Sequence, residues 1–116
     1  MNLTIWHYSG CGTSNKVLDF LRSQNDSLTI REYQKNLPSV SELELVLKKM
    51  GMSASHILRK KDKVYKELFS NVVLSDQEWL EAMHQHPSII ERPIVVSDSK
   101  AWLARPADEF IANWKI

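Results

Sequence analysis

Residues 3 to 33 hold the feature that most constrains the fold. LTIWH at 3–7 is rich in β-branched and aromatic residues and alternates as a strand does. SGCG follows as a tight turn, after which Thr13 or Ser14 can cap a helix whose apolar face is Val17, Leu18 and Leu21. LTIREY at 28–33 reads as a second strand. Strand, helix and strand within about 30 residues suit a right-handed βαβ unit with parallel strands. Everything downstream must be compatible with a sheet that begins this way.

The middle of the chain predicts helices. Ser39 with Glu42 forms a capping-box pattern, and Leu43, Val46, Leu47 and Met50 follow at helical spacing until Gly51. A shorter helix is expected near Ser53 and another across 62–69. Ser75 with Glu78 repeats the box ahead of Trp79, Leu80 and Met83, and Pro87 stops that helix. The last third reads differently. PIVVS at 93–97 and AWLA at 101–104 flank the polar turn DSK, so they predict a hairpin. Pro106 suits the first turn of a final helix, with Phe110, Ile111 and Trp114 facing inward. The expected fold is an α/β, four-stranded mixed sheet, one domain over 1–116, with a helical insertion at about 39–86. The four tryptophans are expected to pack in the core or at its rim.

Composition removes several function classes. Fifteen Lys and Arg against fourteen Asp and Glu leave a formal charge of +1, which argues against a broad nucleic-acid-binding face. No apolar run approaches the roughly 20 residues of a membrane helix. The N-terminus lacks a basic, then apolar, signal-peptide pattern. The single cysteine excludes an intrachain disulfide and multi-cysteine zinc sites. His84 and His86 sit two apart, do not share a helical face, and are expected to be solvated, not metal ligands. No metal is expected, and the chain is expected to be cytoplasmic and monomeric.

Cys11 carries the chemistry. Two of the three glycines, Gly10 and Gly12, flank it, and it lies between a strand end and a helix start. Amide groups of Gly12, Thr13 and Ser14 at that start favour a thiolate and can bind an oxyanion. An ordinary thiol titrates near 8.5, so about 3% is ionised at pH 7; lowering that to about 6.5 ionises roughly three quarters, for about 2.7 kcal/mol. A helix end alone seldom supplies so much, so cations are required. Arg92 and Arg105 each precede a proline, which holds their backbone extended. They lie at hairpin-strand ends that an antiparallel pair brings together. Arg59, within ILRK, is the third candidate. Arginine forks match oxyanions. His7, four residues before the cysteine, stabilises a thiolate if protonated or donating, or is a structural histidine.

Together CGTS at 11–14, ILRKK at 57–61, ERPIVV at 91–96 and ARP at 104–106 resemble the glutaredoxin-dependent arsenate reductase family, along almost the whole chain. The resemblance implies a thioredoxin-like fold with a helical insertion. It implies Cys11 as nucleophile, Arg59, Arg92 and Arg105 as oxyanion ligands, His7 as the histidine before the nucleophile, and a cis peptide at Pro93. It further implies arsenate as substrate, glutathione as co-substrate and glutaredoxin as partner, with no tightly bound cofactor. One thiol cannot close a disulfide on itself, which agrees with an external reductant.

Three positions depart from better-known members. Residues 8–10 read Tyr-Ser-Gly where those have Asn-Pro-Ala, position 104 is Ala where some have Cys, and the chain ends at Ile116 where longer ones continue, so no tail contribution is expected. Two other readings stay open. One is a glutathione-linked thiol oxidoreductase acting on another substrate. The other is an RNA-polymerase-binding regulator; with Ser at 14 in place of a second cysteine, it lacks a Cys-x-x-Cys redox switch.

Overall fold

The computed structural model describes residues 2–24 and 27–114. These fall into two compact units, one formed by the segments up to Asn36 and from Arg92 onward, the other by Leu37–Glu91. No helix among the described residues is long and apolar enough to cross a membrane.

The first unit is the sheet. β1 (Leu3–His7) pairs in parallel with β2 (Leu28–Glu32), in the register Leu3 to Leu28 through His7 to Glu32. The connecting helix α1 covers Gly12–Gln24. β3 (Ile94–Val96) runs antiparallel to β1, and β4 (Ala101–Leu103) runs antiparallel to β3. The order β2-β1-β3-β4 puts the two most buried strands, β1 and β3, at the centre. Leu3, Ile5 and Val95 from these strands pack with Val17, Leu18 and Leu21 of α1 and with Ala104 and Ala107. The 3.6-residue period of α1 thus meets the two-residue period of the strands, as the sequence predicts.

Several boundaries differ from expectation. The helix start predicted at Thr13 or Ser14 falls at Gly12, with Cys11 immediately before it and its carbonyl accepting from Asn15 N–H at 3.0 Å. Ser14 is therefore inside the first turn and buried. The last helix, α5 (Ala107–Ala112), begins after Pro106, which sits at its N-cap in extended conformation. Phe110, Ile111 and Trp114 are half-buried rather than sealed inward. Phe110 and Trp114 form an aromatic cluster with Trp102 at the rim of the core. Both Arg92–Pro93 and Arg105–Pro106 peptides are cis, where the resemblance implied only the first.

The second unit is helical. α2 (Val40–Met50) starts at a complete capping box: Ser39 accepts from Glu42 N–H, and the Glu42 carboxylate accepts from Ser39 N–H. It ends at Gly51, whose φ of 69° lies where a side chain is disfavoured. A 3-10 turn follows at Ala54–Ile57, then α3 (Lys63–Leu68), capped by Asp62. α4 (Asp76–Gln85) repeats the capping box at Ser75 and Glu78. The helix ends ahead of Pro87, which opens a second 3-10 turn, Pro87–Ile89. Trp79 stacks on Tyr65 and packs against Phe69. His84 donates its Nδ1 proton to the Pro38 carbonyl at 2.8 Å, and His86 is half-buried edge-on to Phe69, so neither ring is simply solvated. Ser75→Ala removes the N-cap of a ten-residue helix. It is expected to cost about 1 kcal/mol, read as a lower urea midpoint with unchanged slope.

Candidate active site

Cys11 sits where the chain leaves β1 and turns into α1. The turn is closed by Cys11 N–H donating to the Tyr8 carbonyl at 3.1 Å. The side chain is half-buried. Gly12 leaves open space around the position a Cβ would occupy, so the amides behind the sulfur can be approached closely.

The two arginines of the hairpin converge on this sulfur. In the β3–β4 register Ile94 faces Leu103, and Ala104 N–H donates to the Pro93 carbonyl at 3.0 Å. Continuing that register outward places Arg92 and Arg105 at one end of the hairpin. Arg105 Nη1 donates to the Arg92 carbonyl at 2.9 Å and reaches Cys11 Sγ at 3.7 Å. Arg92 is buried, and its guanidinium lies over the Tyr8 ring, 4.7 Å from the centroid. Its Nε is buried with no hydrogen-bond partner among the described residues.

The thiol responds to these neighbours. Burial, the largest single influence, pushes it up. The Ser14 backbone amide, hydrogen bonds from Arg105 and Arg92, and the Arg92 charge pull it down, and together they win. The result is a thiol lowered to about 7, so that close to half is ionised at neutral pH.

His7 contributes differently from a charged partner. It is buried, and burial holds its pKa below the usual histidine range, opposed in part by the charge of Glu32. Its Nδ1 lies 2.7 Å from Ser14 Oγ, and Ser14 Oγ also accepts from Tyr8 N–H at 3.2 Å. The Ser14 proton then goes to the neutral ring. Only the backbone amide of Ser14 bears on the sulfur; its hydroxyl is committed to His7 and the Tyr8 backbone. This pair ties the end of β1 to the first turn of α1.

A histidine whose folded pKa is depressed binds its proton more readily when unfolded, so stability is lost as pH falls below about 6.5. His7→Asn is expected to flatten that loss between pH 7 and pH 5. Urea midpoints at the two pH values check it.

Arg59 belongs to the helical unit. Leu58 bridges Ile90 in antiparallel fashion, with Arg59 N–H donating to the Ile89 carbonyl at 2.7 Å. This short ladder fixes its backbone, and its side chain pairs with Glu91 at 3.4 Å. Tyr8 is the contact that sequence reasoning missed. No periodicity links residue 8 to residue 92, and only the presence of Gly10 next to a bulky ring hints at a close approach.

Known proteins resemble this chain in sequence and fold. The model of the ArsC family matches residues 6–113. An arsenate reductase of Rhizobium meliloti is 38% identical over 109 residues, covering 93% of this chain and 78% of that protein. An arsenate reductase of Haemophilus influenzae is 34% identical over 110 residues, covering 93% of this chain and 95% of that protein. The solved structure of an arsenate reductase from Vibrio cholerae matches with a TM-score of 0.88 at 33% identity, covering 98% of each chain. The four-stranded mixed sheet and the match to that structure define a thioredoxin-like protein, and the relatives it resembles are oxidoreductases. Within that class, the chain belongs to the ArsC family.

Proposed function

We propose that this protein is an arsenate reductase that uses Cys11 as its nucleophile and external thiols as reductant. One observation carries the reading. The Cys11 sulfur lies 3.7 Å from Arg105 Nη1, and the adjoining Arg92 has a buried Nε–H without a partner among the described residues, which suits an incoming oxyanion. The names of the relatives supply the substrate.

Arsenate docks on Arg92 and Arg105 beside the Cys11 sulfur. The Cys11 thiolate attacks arsenic, an As–O bond breaks, and the oxygen leaves as water once protonated. The arginines and the amides of Gly12, Thr13 and Ser14 stabilise the added negative charge. Two electrons are then needed to take As(V) to As(III). A first external thiol displaces another arsenic-bound oxygen as water, a second attacks that thiol's sulfur to form a disulfide and leave As(III) on Cys11, and water then cleaves the S–As bond; in sum arsenate and two thiols give arsenite, one disulfide and water. Glutathione is the first thiol and glutaredoxin the second, which places the reaction in the reducing cytoplasm. A monomer suffices, and no step requires a metal or a tightly bound cofactor.

A coupled assay tests this. NADPH oxidation should require arsenate, glutathione, glutaredoxin and this protein together, and should stop when any one is omitted. Turnover of glutathione with other substrates but none with arsenate would reject the substrate.

A further inference from the structure

The loop ahead of the cysteine, Tyr8-Ser9-Gly10, holds a contact that the reaction scheme does not use. The Arg92 guanidinium lies 4.7 Å above the Tyr8 ring. Arg92 is 8% exposed, and its Nε lacks a hydrogen-bond partner among the described residues. A planar cation whose Nε makes no bond is oriented by the surface it stacks on, and an aromatic face is such a surface.

Gly10 makes room for the ring. A Cβ at residue 10 would lie 2.8 Å from Tyr8 Cε2 and 3.0 Å from Cζ and Oη, closer than side chains tolerate. The Tyr8 backbone is held as well. Its carbonyl accepts from Cys11 N–H at 3.1 Å and its N–H donates to Ser14 Oγ at 3.2 Å. The ring therefore stands on a backbone that is hydrogen-bonded to the nucleophile's own turn.

We propose that Tyr8 is a positioning residue: its ring, admitted by Gly10, holds the Arg92 guanidinium where it acts on the Cys11 sulfur and on an oxyanion bound there. The inference deepens the proposed function and rests on Cys11 being the reacting thiol. It does not depend on which oxyanion is the substrate. The lowered thiol pKa, to which Arg92 contributes both a hydrogen bond and its charge, is in keeping with such a clamp.

The pH profile of Cys11 alkylation by iodoacetamide tests it without any arsenate. Tyr8→Phe keeps the ring and should keep the wild-type midpoint. Tyr8→Leu should raise the midpoint and slow alkylation at pH 6 by about threefold, a partial loss of what Arg92 supplies. With Arg92→Ala already present, Tyr8→Leu should add nothing. Gly10→Ala leaves the tyrosine intact but displaces its ring, so its midpoint should also rise; it decides the matter if Tyr8→Leu does not fold. The proposal is overturned if Tyr8→Leu or Gly10→Ala, folded by circular dichroism, titrates like wild type. It is equally overturned if the Tyr8→Leu shift persists in full without Arg92. A wild-type protein inactive toward arsenate would sink the substrate assignment and leave this readout intact.

Discussion

Cys11→Ser is expected to abolish thiol-dependent arsenate reduction, with a loss of at least about a thousandfold. The reason lies in the chemistry of the attacking atom. A sulfur lowered to about 7 is close to half anionic at neutral pH. A serine hydroxyl in the same place stays protonated, because the neutral His7 ring that could serve as a base is bonded to Ser14. The arginines remain in the variant, so arsenate binding should survive while turnover does not. Equilibrium binding of arsenate, measured beside the coupled assay, separates the two. Residual turnover near wild type would remove Cys11 from the mechanism.

Arg92→Ala has the second largest expected effect, and its sign follows from what acts on the thiol. Burial opposes ionisation and is the largest single influence, so the low pKa survives only while the Ser14 amide, Arg105 and Arg92 oppose it. Removing Arg92 takes away both a hydrogen bond and a positive charge. The midpoint of alkylation should then climb from about 7 toward the ordinary thiol value near 8.5. Well below both midpoints the reactive fraction falls in proportion, so alkylation at pH 6 should slow by roughly tenfold, while rates above pH 9 converge with wild type. Arsenate affinity should drop as well, because the buried N–H that suits an oxyanion is gone. A superimposable pH profile would show that Arg92 does not govern the sulfur.

Much of the architecture could be read from short stretches. The strand at LTIWH, the apolar face of α1 and both capping boxes involve residues a few positions apart, where backbone geometry fixes who meets whom. The hairpin was legible for the same reason, and with it the pairing of Arg92 and Arg105. End residues were harder. Ser14 looked like a cap and proved to be an internal residue bonded to His7, because any of several small polar residues can begin a helix and tertiary partners decide among them. His7 read equally as a thiolate stabiliser or as a structural histidine; its burial favours the neutral ring, and burial is not a local property.

The chain's own order of residues determined that one cysteine would stand between a strand and a helix, in a loop with glycine on either side. Backbone propensities and spacing suffice for that. Which side chains answer that sulfur was decided only by tertiary structure. Arg105 lies 94 residues further along, and sheet register brings its guanidinium to 3.7 Å. The Tyr8 ring beneath Arg92 is of the same kind. Charge and stacking act through distances of a few ångströms, and such distances between remote residues exist only once strands have paired.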